Sequence, residues 1–226
     1  MPPNPRPIPR FIADSTQEGI PHGRFAERLV AEFRAACERI EDLPEGTEIP
    51  AEVDWFPERG WGGRVWVPAT ARTEGPEGTL ELFGHVSYEL PEGGEPGAFR
   101  AGADFTDVLA EENPDWRIDI NDDVIGAWRT DGGRGGEVTL VWGLPLVRGA
   151  VAATAELDGD PLDQAPVTDG RFTLIAVDAV HGFGDDLFLE IKLWNRAVKE
   201  LASESLYAEP EGDEEEEPEE GDSEPA

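Results

Sequence analysis

The chain has 226 residues, 38% of them hydrophobic, with seven Trp and ten Phe, which is enough apolar material for a true core and excludes wholesale disorder. Its formal charge of −32, from 50 acids against 18 bases, opposes phosphate backbones and anionic lipid, so direct nucleic-acid and membrane binding are disfavoured. Twenty-six Gly and twenty Pro favour many short strands and turns over a helical bundle. The expected class is α+β, mainly antiparallel β: an N-terminal amphipathic helix packed on a β-meander, then a small β-sandwich-like region and a disordered acidic tail.

No signal-like apolar region opens the chain and no run of eighteen apolar residues occurs, so the expected compartment is the cytoplasm. The single cysteine, Cys37, excludes an internal disulfide and a cysteine zinc cage, and reads as a small apolar residue of a helix face.

Residues 1–21 read as an extended Pro-rich arm, since five prolines with Arg6 and Arg10 fall in the first twelve residues. A helix-plus-antiparallel-sheet domain is expected over 22–131. It opens with a helix over 22–42, because Phe25, Leu29, Phe33, Ala36 and Ile40 recur at helical spacing. Arg28 with Glu32 and Arg34 with Glu38 are i,i+4 pairs on its wet side, and Pro44-Glu45-Gly46 stops it.

From Val53 the period changes to two. Val65, Val67, Ala69 and Ala71, then Leu80, Leu82, Val86, Tyr88 and Leu90, predict a hairpin with one dry face. Phe99, Ala101, Ala103 and Phe105 predict a third strand. Residues 106–116 read as a loop or short helix, followed by short strands at Arg117–Ile120 and Val124–Arg129.

A β-sandwich-like domain is expected over 132–208, with strands at Glu137–Pro145, Ala150–Leu157, Arg171–Asp178, Leu187–Trp194 and Glu200–Tyr207. It is continuous with the preceding domain if Val124–Arg129 pairs with Val138–Leu144. Residues 209–226 form the acidic tail: eleven of eighteen are Asp or Glu and none is basic, so nothing in it can offset the entropy of ordering. Without the tail's −11 the remaining 208 residues still carry −21.

A search for chemistry finds little. No nucleophile elbow, phosphate loop or His-Glu-x-x-His pair is present, and His22, His85 and His181 stand in separate segments. Asp119-Ile120-Asn121-Asp122-Asp123 begins like a calcium loop but has Val124 where Gly is needed and Thr130 where the bidentate Glu belongs. Asp158-Gly159-Asp160 reads as a hairpin turn, and Gly132–Gly136 lacks the strand-to-helix context of a phosphate cradle. No cofactor or metal is expected.

The candidate binding residues are Trp55, Arg59, Trp61, Arg64 and Trp66, a cluster of aromatics and arginines around a glycine turn, suited to stacking or to gripping a partner. Packing of Trp55 and Trp66 in the core is the plain alternative. The expected function is a non-catalytic interaction protein that captures a basic protein partner through its acidic surface and tail. Two further readings are a glycan-binding module using the Trp55–Trp66 turn, and an enzyme whose carboxylates and histidine, for instance Asp104, Glu81 and His85, converge in the fold.

Overall fold

The computed structural model describes residues 23–76, 78–129, 135–157, 159–179 and 189–206. The Pro-rich arm, His22, the residues at 130–134, Asp158, His181 and the acidic tail lie outside the described residues. The described chain is mostly antiparallel β with one α-helix and three sheets.

Helix α1 spans Gly23–Cys37, shorter at its C-terminal end than the periodicity alone suggests. It tightens there: Arg39 N–H donates to Ala36 O and Ile40 N–H to Cys37 O, while the Arg39 guanidinium caps Ala35 O at 2.6 Å. Ile40 still packs with the helix stripe, so the apolar pattern outlasts the helix. Arg28 pairs with Glu32 as expected, but Arg34 turns instead to Ile49 O at 3.4 Å.

The first sheet holds β1 (Asp54–Trp55), β2 (Arg59–Trp61), β3 (Arg64–Gly75), β4 (Gly78–Glu89) and β5 (Gly97–Thr106). The β2–β3 turn is Gly62-Gly63, both at positive φ, the two-residue geometry that matches strand twist. One face of this sheet receives α1: Leu29, Phe33 and Cys37 pack on Val67, Ala69, Leu82 and Val86.

The other face is not wet. Trp66, Phe83 and Phe56 pack against Val138, Leu140, Trp142 and Ile175 of a second sheet. The expectation of a single dry face is therefore corrected. Polar Glu81, His85 and Ser87 punctuate that face and hide its burial in the sequence, although each is less than a tenth exposed.

A one-turn 3₁₀ helix at Ala110–Glu112 precedes the second sheet, which holds β6 (Ile118–Arg129), β7 (Gly135–Pro145) and later β10. The two short strands expected at 117–129 are one, bulged between Val124 and Gly126. It pairs antiparallel with β7 from Ile118 opposite Pro145 to Arg129 opposite Gly135. The third sheet holds β8 (Ala152–Leu157), β9 (Asp160–Pro166), β11 (Leu189–Trp194) and β12 (Glu200–Leu206), with β10 (Phe172–Ala179) completing the second.

Strand β9 carries Pro161 and Pro166, which a central strand would not accommodate; as an edge strand it tolerates both. The β11–β12 hairpin turns at Asn195–Lys199 as expected, and the Asn195 carboxamide accepts the Ala197 and Lys199 N–H groups. The second and third sheets share a core of Val141, Phe172 and Leu174 against Ala155, Ile191 and Leu193. Alternate residues of β7 thus serve two cores, and the order of layers is helix, first sheet, second sheet, third sheet.

Two arginines fasten the layers. Arg171 of the β10 approach donates to Trp55 O at 2.9 Å and to Asp54, and lies 5.5 Å from the Phe56 ring. Arg59 pairs with Asp163, whose carboxylate also accepts the Ile175 N–H at 2.8 Å.

Candidate functional site

The five residues of the Trp/Arg turn are all engaged within the fold. Trp55 and Trp66 are buried, Trp55 against Phe33 and Trp66 against His85 with ring centroids 5.0 Å apart. Trp66 Nε1–H donates to Trp61 O at 3.1 Å. Arg64 is buried and donates to Ser87, Glu89 and Ala98 O, tying three strands of the first sheet. Arg59 is taken by Asp163. Trp61, half-buried, lies against Gly126, where a Cβ would stand 2.7 Å from its benzo-ring atoms. Trp61 therefore folds back over the second sheet, and the turn stitches layers together.

A different place gathers chemistry. Where the first sheet meets the open edge of β6, a cavity of about 250 Å³ is lined by Glu81 and Phe83 of β4, Thr106 of β5, Val108 and Trp116 of the 107–117 connection, and Asp119, Ile120, Asn121 and Asp122 of β6. Period-two geometry puts Glu81 and Phe83 on one face, and Asp119 and Asn121 on one face of β6, alternating with Ile118 and Ile120, which pack on the core shared with the third sheet while Ile120 also borders the cavity.

Glu81 is buried, and its Oε1 accepts Asn121 Nδ2–H at 3.3 Å. Arg72 stands on its other side, with Nε 3.6 Å from Oε2. Burial pushes the Glu81 carboxyl above its ordinary value, and the negative charge of Asp119 pushes it further; Asn121 and Arg72 offset this only partly. Burial likewise raises Asp119, against the pull of Arg72. Arg72 is shared with Glu111, through a two-point ion pair at 2.5 and 2.9 Å that holds Glu111 below the usual carboxylate range. The cavity is thus short of positive charge.

Its walls are apolar as well as acidic. Val108 and Trp116 are 52% and 38% exposed, among the most exposed large hydrophobic residues described. A pocket with carboxylates at its base and apolar walls suits a cation carried on an apolar stem, as in an arginine or lysine side chain.

Of the residues expected to converge for catalysis, Glu81 alone lines the cavity. His85 lies on the same face of β4 but meets Asp123 of β6, Nδ1 to Oδ2 at 3.0 Å. Asp104, on β5, is exposed and accepts the Phe105 N–H. Asp119, weighed in the sequence only as the start of a calcium loop, sits instead in a paired strand. Among the described residues no group of three or more His, Cys, Asp or Glu side chains is placed to hold a metal ion. The signal that was available is the pair Val108 and Trp116, large apolar residues left in an acidic loop with no periodic partner.

No helix among the described residues is long and apolar enough to cross a membrane. Comparison of the chain with protein-family models, with curated proteins and with solved structures finds no match. The functional reading therefore rests on the chemistry of the cavity and on charge.

Proposed function

We propose that the protein is a non-catalytic interaction protein that captures a basic protein partner, and that the Glu81–Asp119 cavity receives one cationic side chain of that partner. The observation that carries this reading is the pair of carboxyls, raised by burial, in a cavity whose one nearby arginine is divided between Glu81 and Glu111. An incoming guanidinium or ammonium would pair with both carboxylates and offset the cost of their burial while its stem packs on Phe83 and Trp116. The net charge of −32 speeds encounter with such a partner at low salt.

Titration of the full chain with a fluorescein-labelled hexa-arginine peptide tests it. Asp119→Asn should weaken binding about tenfold, as for loss of one member of a close charge pair. Glu92→Gln, which removes the same charge from an exposed loop away from the cavity, should weaken it less than about twofold. Equal losses in the two variants would reduce the binding to bulk charge and defeat the assignment.

A second reading, an enzyme with a carboxylate site assembled by the fold, draws on the same pair, with Glu81, raised by burial and by Asp119, as acid and Asp119 as base. It differs in outcome. A chromogenic panel of glycosides and esters should then show turnover that both Glu81→Gln and Asp119→Asn abolish, whereas the binding reading expects none.

A further inference from the structure

The connection that walls the cavity is held very unequally along its length. Residues 107–117 contain a single buried side chain, Leu109, and their internal hydrogen bonds are local: Glu112 N–H to Leu109 O, Asn113 N–H to Ala110 O and Trp116 N–H to Asn113 O. Their C-terminal end is fixed to two other segments. Arg117 donates to Leu201 O at 3.0 Å on β12, and its carbonyl accepts the Leu146 N–H at 3.0 Å. The middle is held to the first sheet by Arg72 and Glu111, whose side chains are 43% and 61% exposed. A segment with so little buried apolar contact opens at small cost, and a pair this exposed is a weak restraint.

Arg72 is shared. The same guanidinium faces Glu111 on the connection and Glu81 at the base of the cavity. The geometry points to a latched strap: residues 107–117 close over the Glu81–Asp119 cavity through the Arg72–Glu111 pair, and a cation in the cavity tightens that latch. The direction follows from charge. A cation seated beside Glu81 neutralises it and repels Arg72, which leaves the guanidinium wholly to Glu111. Val108 and Trp116, on the strap, then cover the ligand's apolar stem. This inference rests on the cation-receiving reading of the cavity. By linkage, a strap that closes on the ligand must also raise the ligand's affinity.

Amide hydrogen exchange of Glu112, Asn113 and Trp116 in the full chain, read by NMR, tests the strap with and without saturating hexa-arginine. Arg72→Gln and Glu111→Gln should each speed exchange at these amides about two- to five-fold, the range for an exposed ion pair. The two changes have opposite effects on the charge of the cavity, so a shared effect reports the latch and not the field. The double variant should be no faster than the faster single one. Hexa-arginine should slow the three amides in the unaltered protein and leave them unchanged in Arg72→Gln. Additive or absent effects of the two substitutions, with peptide binding intact, would overturn the strap alone. Failure of the peptide to bind at all would overturn the cavity reading and the coupling together.

Discussion

Replacing Gly126 with alanine probes the contact that joins the first two sheets. A Cβ at this position would stand 2.7 Å from two atoms of the Trp61 benzo ring, about 0.7 Å inside ordinary van der Waals contact. The turn and the Trp66 Nε1–H bond to its carbonyl fix the Trp61 backbone, so relief must come from the indole swinging off its contact with Gly126. Overpacking of this kind costs about 1–3 kcal/mol. The lower backbone entropy of alanine in the unfolded chain returns about 0.4–1 kcal/mol. A net loss of about 1–2 kcal/mol is expected, or roughly 3–6 °C in Tm for a chain of this size. Trp61→Phe removes the outer ring atoms that collide, so in that background Gly126→Ala should cost less than about 0.5 kcal/mol. Urea denaturation of the four proteins of this cycle supplies the numbers. A loss of similar size in both backgrounds would mean that Trp61 does not rest on Gly126, and would return its ring to solvent and to the glycan-platform reading.

Asp119→Asn should also alter stability with a definite sign in pH. A carboxyl whose folded pKa lies above its unfolded one contributes stability that is complete below the unfolded value, ordinarily 3.8, and lost as pH rises through the folded value. The variant should therefore be more stable than the unaltered protein at pH 7 and lose that advantage as pH falls toward 4, measured by urea midpoints; a constant difference across the range would contradict the burial argument. Lys192 lies buried on the outer face of the third sheet, its Nζ 2.7 Å from Glu156 and 3.0 Å from Glu190. Lys192→Met strands the buried Glu156 and should cost about 3–5 kcal/mol, while adding Glu156→Leu should recover most of it. Cys37, buried under the helix with its thiol pushed up to about 11 by burial, should resist iodoacetamide at pH 8 in the native protein and react fully in urea; rapid native labelling would place the helix off the sheet.

The parts of the fold that were legible in the sequence are those where one element faces one apolar layer. The stripe of Phe25, Leu29, Phe33 and Ala36 and the alternation of Val65, Val67, Ala69 and Ala71 each report a single face, and the helix and sheet they predict are the pair that pack together. Strand β7 was legible as a strand but not as a double-sided one, because its unbroken run Val138–Leu144 supplies two cores at once. Strand β9, with two prolines and two aspartates in seven residues, carries no apolar period; its place at a sheet edge is set by tertiary pairing with β8.

The cavity was illegible for a related reason. Its carboxylates belong to strands 38 positions apart, and what makes them a pair is the stacking of the second sheet on a face that the polar residues Glu81, His85 and Ser87 disguise. Local sequence weighs Glu81 as an ordinary wet-face acid, because exposed glutamate on alternating strands is the commonest arrangement. Burial reverses its meaning: a solvated acid needs no partner, whereas Glu81, kept beside Asp119 in a low-dielectric setting with half an arginine, is stabilised by any cation that can reach it. The same reasoning separates the two kinds of acidity in this chain. Charge spread over an exposed surface sets solubility and encounter, and is indifferent to which base arrives. On the proposed reading, charge forced into the cavity would discriminate, because a cation with an apolar stem would satisfy both the carboxylates and the Trp116 wall.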